Sequence, residues 1–367
     1  MDIAIFLYGP TWHHLDHLVP LSQHLSAPLY VTDEEISDSA KRFYPAVDIK
    51  LIDRFSAANY IVQEYSYVIS CLHSMDIEQL FFFAEKTAGK KIVPIWCPHG
   101  QSDKGHLSGF MQSLSDERAL LLYGHKMVDL LDSLGVLKKI KGYALLGNYR
   151  WLDYQTHRDF YDRKAKEALK RLEPATMTLL YAPTWMDSEN SCSFLDAYHQ
   201  LIDHLPPGIN LIIKPHPNLV LQEHALFEKI REELFDHPHV LLLEDFPLIL
   251  PLLACIDLYI GDASSIGYDF LAFDKPMLFL NQNDRNPQLD AGLFLFRCGI
   301  HITPDEYPKI YQKIEHLLPY DKELFSEIRH EVYRYAFGDD DIPRMLNASI
   351  KTLMQKAAYD DFERGFQ

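Results

Sequence analysis

Short apolar runs recur along most of this chain, separated by amphipathic segments. The first series is Ile3–Tyr8, Pro28–Thr32, Val47–Ile52, Tyr67–Leu72, Ile92–Cys97, Ala119–Tyr123 and Tyr143–Leu146. Strands that are apolar throughout, without inside–outside alternation, are covered on both faces, so the pattern predicts parallel sheets flanked by helices. The intervening segments, such as Leu15–Leu25, Asp76–Thr87 and His125–Leu134, read as those helices. A charged helix is expected over Asp153–Leu172. A second series then follows: Thr178–Tyr181, Leu211–Lys214, Val240–Leu243, Leu258–Gly261 and Pro276–Leu280. Two successive βα series predict an α/β chain of two doubly wound, Rossmann-like domains across a cleft. The expected boundaries are 1–150 for an acceptor-side domain and 151–335 for a nucleotide-donor domain. Residues 336–367 are expected to form a C-terminal helix packing back on the first domain.

Composition narrows the function. A net charge of −17 argues against a nucleic-acid partner, because phosphate backbones select for a Lys/Arg excess. It leaves room for a small phosphorylated ligand held by a few local donors. The five cysteines are scattered and odd in number, the pattern of reduced thiols, and no charged leader precedes the first apolar run. No stretch reaches the ~18 apolar residues of a membrane span. The expected location is the cytoplasm, with at most peripheral contact at the inner face of the membrane.

In open α/β sheets ligands sit beyond the carboxyl ends of strands, so the polar residues there are the candidates. His99-Gly100-Gln101-Ser102-Asp103-Lys104-Gly105 follows the run Ile92–Cys97. A histidine there can take a proton and Lys104 can pair with an anion; the plainer alternative is a tight turn. Lys214-Pro215-His216-Pro217 follows Leu211–Lys214, with two prolines restricting the chain around His216. Asp262-Ala263-Ser264-Ser265 joins a strand to a helix, where hydroxyls and backbone N–H groups suit an anion and also suit ordinary capping. Thr184 in Tyr181–Trp185 and Arg150 after Gly147 are further candidates. His13, His14 and His17 crowd the start of the first helix; the i,i+4 pair His13/His17 could hold a metal, but lining a cleft is the favoured reading, so no metal and no cofactor are expected.

Taken in order, these motifs resemble the CDP-glycerol glycerophosphotransferase family, the teichoic-acid primase and polymerase group with a GT-B-type fold. That family's HGTPLK-like loop reads here His99 to Lys104. Its G-x-P-R-x-D segment reads Gly147 to Asp153, with Tyr149 in place of Pro and one extra residue. YAPTW is Tyr181 to Trp185, K-x-H-P is Lys214 to Pro217, and the T-D-Y-S-S-V-x-x-D block is Gly261 to Asp269. The resemblance spans about residues 92–280. It implies transfer of a glycerophosphate or related polyol-phosphate group from a CDP-activated donor to an acceptor hydroxyl in cell-envelope or capsule polymer synthesis.

In that scheme His99 and His216 are the catalytic pair, facing each other across the cleft. His99 acts as the base, while His216, Thr184, Lys214, Asp262, Ser264 and Ser265 hold the donor. Lys104, Arg150 and His13 serve the acceptor, a polyol phosphate or glycan. Gln101-Ser102-Asp103 departs from the family's Thr-Pro-Leu, and the acidic balance is unlike a lipid-facing surface. The alternatives are a sialyl-, Kdo- or hexosyltransferase using another nucleotide-activated donor, a nucleotide-sugar epimerase using Asp103 and Asp262, and a non-catalytic GT-B-like protein.

Overall fold

The computed structural model describes residues 2–45, 47–103, 109–186 and 189–359. The chain divides into two compact units. The first comprises 1–100, 110–157 and 334–367, and the second 101–109 and 158–333.

The first unit carries seven parallel strands: β1 (Ile3–Leu7), β2 (Leu29–Val31), β3 (Ile49–Leu51), β4 (Tyr67–Ser70), β5 (Val93–Trp96), β6 (Ala119–Leu122) and β7 (Gly142–Leu145). Their spatial order is β3-β2-β1-β4-β5-β6-β7, so the winding reverses between β1 and β4. Phe6, Tyr30, Ile61, Val68 and Phe81 build a buried cluster on this sheet. The C-terminal segment returns to the same unit: Tyr67 Oη donates to the Met354 carbonyl at 2.9 Å. A Cβ on Gly124 would lie 2.5 Å from the Ala336 carbonyl oxygen, so that close approach requires glycine.

The second unit has six parallel strands: β8 (Met177–Ala182), β9 (Ile209–Ile213), β10 (Val240–Leu242), β11 (Leu258–Gly261), β12 (Met277–Leu280) and β13 (Ile300–Ile302). Their order is β10-β9-β8-β11-β12-β13, reversing between β8 and β11. Phe194 centres the packing on one face, with its ring stacked on Tyr198 at 4.9 Å and on Phe227 at 5.0 Å. Fully burying one such ring is worth about 1.5–3 kcal/mol. On another part of the unit the buried Arg329 guanidinium bonds both Asp274 and Asp321.

Two elements differ from expectation. The charged helix is two helices, Tyr149–Thr156 and Arg158–Leu169, broken at His157, whose φ/ψ of −114/27 leaves the helical region. The boundary between the units falls at this break. The sixth strand of the second sheet, β13, has no counterpart among the expected runs.

Candidate functional sites

In the second unit β9, β8 and β11 are neighbours, so their carboxyl ends bring Lys214 and His216, Thr184, and Asp262 to Ser265 to one edge of the sheet. This edge contains the point where the winding reverses, the usual ligand position of such sheets. His216 caps the helix Pro217–Gln222, and its Nδ1 accepts the Asn218 N–H at 3.1 Å. That bond fixes the tautomer: a neutral ring carries its proton on Nε2, the donor a phosphate oxygen needs. The Trp185 ring lies 6.2 Å from it, centroid to centroid. Lys214 is buried, with its ammonium 3.5 Å from the Leu243 carbonyl.

Asp262 is 1% exposed, and its carboxylate accepts Thr184 N–H at 2.7 Å, Ser193 N–H at 2.9 Å and Ser193 Oγ at 2.9 Å. It therefore clamps the chain after β8 onto the end of β11, which positions Thr184 and Ser193; a carboxylate is a poor direct partner for phosphate. Ser193, whose Oγ also bonds Tyr181 Oη at 2.9 Å, is a member that the sequence motifs did not single out. Ser264 stands at the N-cap with extended backbone, φ −101 and ψ 144, yet its side chain makes no capping bond to the helix Ser265–Phe270. The capping alternative thus does not account for its hydroxyl.

Asp103 counts with the second unit. Its carboxylate accepts Tyr268 Oη at 2.6 Å and Leu295 N–H at 2.8 Å. Both carboxylates that an epimerase would need, Asp103 and Asp262, are thus engaged in holding the backbone and neighbouring hydroxyls. Lys104 lies outside the described residues.

The first unit has its own strand-end site at the reversal between β1 and β4. His99 follows β5 and Cys71 follows β4, and His14 closes the 3-10 turn Trp12–His14. The His14 and His99 ring centroids are 4.8 Å apart, and His13 lies 4.4 Å from His14 and 5.9 Å from His99. One ligand atom from each of His14, Cys71 and His99 falls within 4.8 Å of the others. The His99 imidazole is pushed down to about 4, first by the protein mass around it and then by the nearby His13 and His73, although an edge of the residue reaches solvent. Burial drives His14 further, to about 2, with His99 and His13 adding to the effect. These rings are neutral at pH 7 and offer lone pairs. Burial and a bond with Cys97 push the Cys71 thiol up. His73 moves in the opposite direction, raised by its bond to Glu117 at 3.1 Å.

The i,i+4 reading of His13 and His17 needs correction. The α-helix begins only at Leu15, so the two residues do not share its register. His17 is buried with Nδ1 2.8 Å from Tyr123 Oη, and it is His14 that meets His99. Arg150 also takes another role. It is 3% exposed, its Nε donates to the Asp16 carbonyl at 3.0 Å, and its guanidinium pairs with the Asp16 carboxylate. That charge ties the helix Tyr149–Thr156 to the first helix. Asp16 and Cys71 carried no recognisable motif; the one available signal was that Cys71 follows a strand as His99 does.

The second-unit site lies within a recognisable stretch of sequence. Residues 151–286 match the family CDP-glycerol:poly(glycerophosphate) glycerophosphotransferase. The matched stretch contains Thr184, Lys214, His216, Asp262, Ser264 and Ser265, and excludes His99. The chain thus resembles this family through its second unit. No curated protein sequence matches the chain. Among solved structures it is similar to the wall teichoic acid polymerase TagF soaked with CDPG, at 13% identity and TM-score 0.63, covering 98% of this chain and 90% of that one. It is also similar to S. aureus MnaA with UDP, at 15% identity and TM-score 0.61, covering 96% and 97% of the two chains. The Anabaena protein HepE in complex with UDP-glucose matches at 11% identity and TM-score 0.59, covering 95% and 99%. These likenesses show a GT-B-type fold. Among the described residues no helix is long and apolar enough to cross a membrane.

Proposed function

We propose that the protein is a transferase of the glycerophosphotransferase type, moving a polyol-phosphate group from a CDP-activated donor to an acceptor hydroxyl in cell-envelope polymer synthesis. The observation that supports this most directly is the convergence of His216, Lys214, Thr184 and Ser264-Ser265 on one sheet edge, inside the stretch that matches the family. Imidazole N–H, hydroxyl and ammonium donors neutralise charge on a diphosphate. His99, with a neutral ring, takes the proton of the acceptor hydroxyl as that oxygen bonds phosphorus. The bond to the bridging oxygen breaks and CMP leaves with its electron pair. Such chemistry depends on positioning and charge stabilisation more than on a covalent enzyme intermediate. The acceptor is a polyol phosphate or glycan, met in the cytoplasm or at the inner membrane face.

A second reading, transfer from a UDP-sugar, draws support from the fold likeness to HepE with UDP-glucose and MnaA with UDP. Thermal-shift measurements separate the two. Stabilisation by CDP and CMP but not UDP is expected, and a response to UDP alone would move the assignment to a sugar transferase. His216→Ala should weaken nucleotide binding about ten-fold, or ~1.4 kcal/mol; unchanged affinity would remove His216 from the donor site.

A further inference from the structure

We propose that His14, Cys71 and His99 form a binding site for a thiophilic divalent cation of the Zn2+ class. Their ligand atoms already lie within 4.8 Å of one another, although the three residues come from three separate segments. The register of β4 against β5 pairs Ser70 with Trp96, so the chain leaving each strand, with Cys71 on one and His99 on the other, emerges at the same sheet edge. His14 reaches that edge from the 3-10 turn ahead of the first helix.

The donor set decides the class of ion. Two imidazole nitrogens and one thiolate suit a borderline-soft ion such as Zn2+, and no carboxylate belongs to the cluster, as Mg2+ or Ca2+ would require. Tetrahedral Zn2+, with bonds of about 2.0–2.3 Å, holds its ligand atoms roughly 3.5 Å apart. Side-chain rotations of about an ångström would therefore close the site around the ion, a motion within reach of χ1 and χ2. His14 and Cys71 are buried while His99 is exposed, so the ion has a route from solvent and a fourth position left for water. His17 is not among the residues whose ligand atoms converge there, and its Nδ1 meets Tyr123 Oη instead. Binding forms one sulfur–metal and two nitrogen–metal bonds, and the thiol proton passes to solvent.

Occupancy has a consequence for His99. A neutral imidazole has one lone pair, and a lone pair given to the metal cannot take a proton. Zinc would then reversibly silence the base; this consequence alone rests on the transferase reading above.

The test titrates the chelator-treated full chain with Co2+. One ion per chain with a thiolate-to-cobalt absorption band is expected, displaced by Zn2+ and indifferent to excess Mg2+. Cys71→Ser should abolish the band, and His14→Ala should weaken binding at least about ten-fold. Absence of the band, or Cys71→Ser binding as tightly as the parent, would overturn the site; if Cys71→Ser fails to fold, His14→Ala decides. In a turnover assay Zn2+ should inhibit the parent and require at least about ten-fold more ion for Cys71→Ser, whose zinc-free turnover is retained. Binding without inhibition would leave the site standing and remove His99 from the base role.

Discussion

The two units place their polar residues by the same device and fill it with opposite chemistry. In each, a parallel sheet reverses its winding, and the residues that follow the neighbouring strands converge at one edge. After β8, β9 and β11 stand groups that give hydrogen bonds: hydroxyls, an ammonium and a His216 ring whose Nδ1 is already taken. After β4 and β5 stand groups that offer lone pairs: imidazoles held neutral by their surroundings and a thiol. On the proposed reading, the fold sets where a ligand meets the chain, and the side chains set whether that ligand is an anion or a soft cation.

The comparison is broken most sharply at His99. His99→Ala should lower turnover about 100- to 10,000-fold while nucleotide affinity stays near the parent value. Single-turnover rates beside nucleotide titrations check this; a parallel loss of affinity would show that the two edges do not divide the work. The next effect concerns stability. Asp16→Ala leaves the buried Arg150 guanidinium without its carboxylate and should cost about 3 kcal/mol, read by urea unfolding. Asp262→Asn should cost about 2 kcal/mol, because its amide cannot accept from both Thr184 and Ser193 N–H as the carboxylate does. The nucleotide-induced thermal shift should shrink with it, since the same carboxylate positions Thr184. A stable Asp262→Asn with full nucleotide response would return Asp262 to a peripheral role.

A further expected effect is a pH dependence carried by histidines of the first unit. His13, His14, His17 and His99 all lie below the ordinary value of 6.5 in the folded chain, chiefly through burial, with the Arg150 charge adding to the effect at His17. Below pH 6.5 the unfolded chain binds protons that the folded one refuses, so stability falls progressively as pH drops from 6.5 toward 4. His73, raised by Glu117, acts in the opposite sense: its contribution is present at low pH and lost as pH rises through its folded value. Thermal melts from pH 7.5 to 4.5 should show a net decline that His14→Ala flattens. An equal slope in that variant would mean the histidine cluster is not its source.

The sheets were legible because burial on both faces leaves apolar runs that stand out at any position. The strand β13 was not, since Ile300-His301-Ile302 lies between Gly299 and Thr303-Pro304, without the apolar flanks that Val47 and Ile52 give β3. The break at His157 was hidden inside a continuous charged pattern, with no proline or glycine to mark it. Thr184, Lys214, His216 and Ser264-Ser265 could be read as motifs because each hugs the end of its own strand. The role of Asp262 as a clamp could not, because its partners Thr184 and Ser193 are fixed only by the pairing of β8 with β11. The same holds for His14, Cys71 and His99, which are distant in sequence and become neighbours only once the sheet is assembled.

The return of residues 334–367 to the first unit has a consequence for synthesis. The helix Leu346–Ala357 packs against β7, and Arg118 Nη2 donates to the Ala358 carbonyl at 3.0 Å. On a ribosome the unit whose strands emerge first must therefore wait for the helix Leu346–Ala357 before that packing is complete. The second unit, with all its segments already made by residue 333, can close earlier. The first unit is thus begun before the second and completed after it.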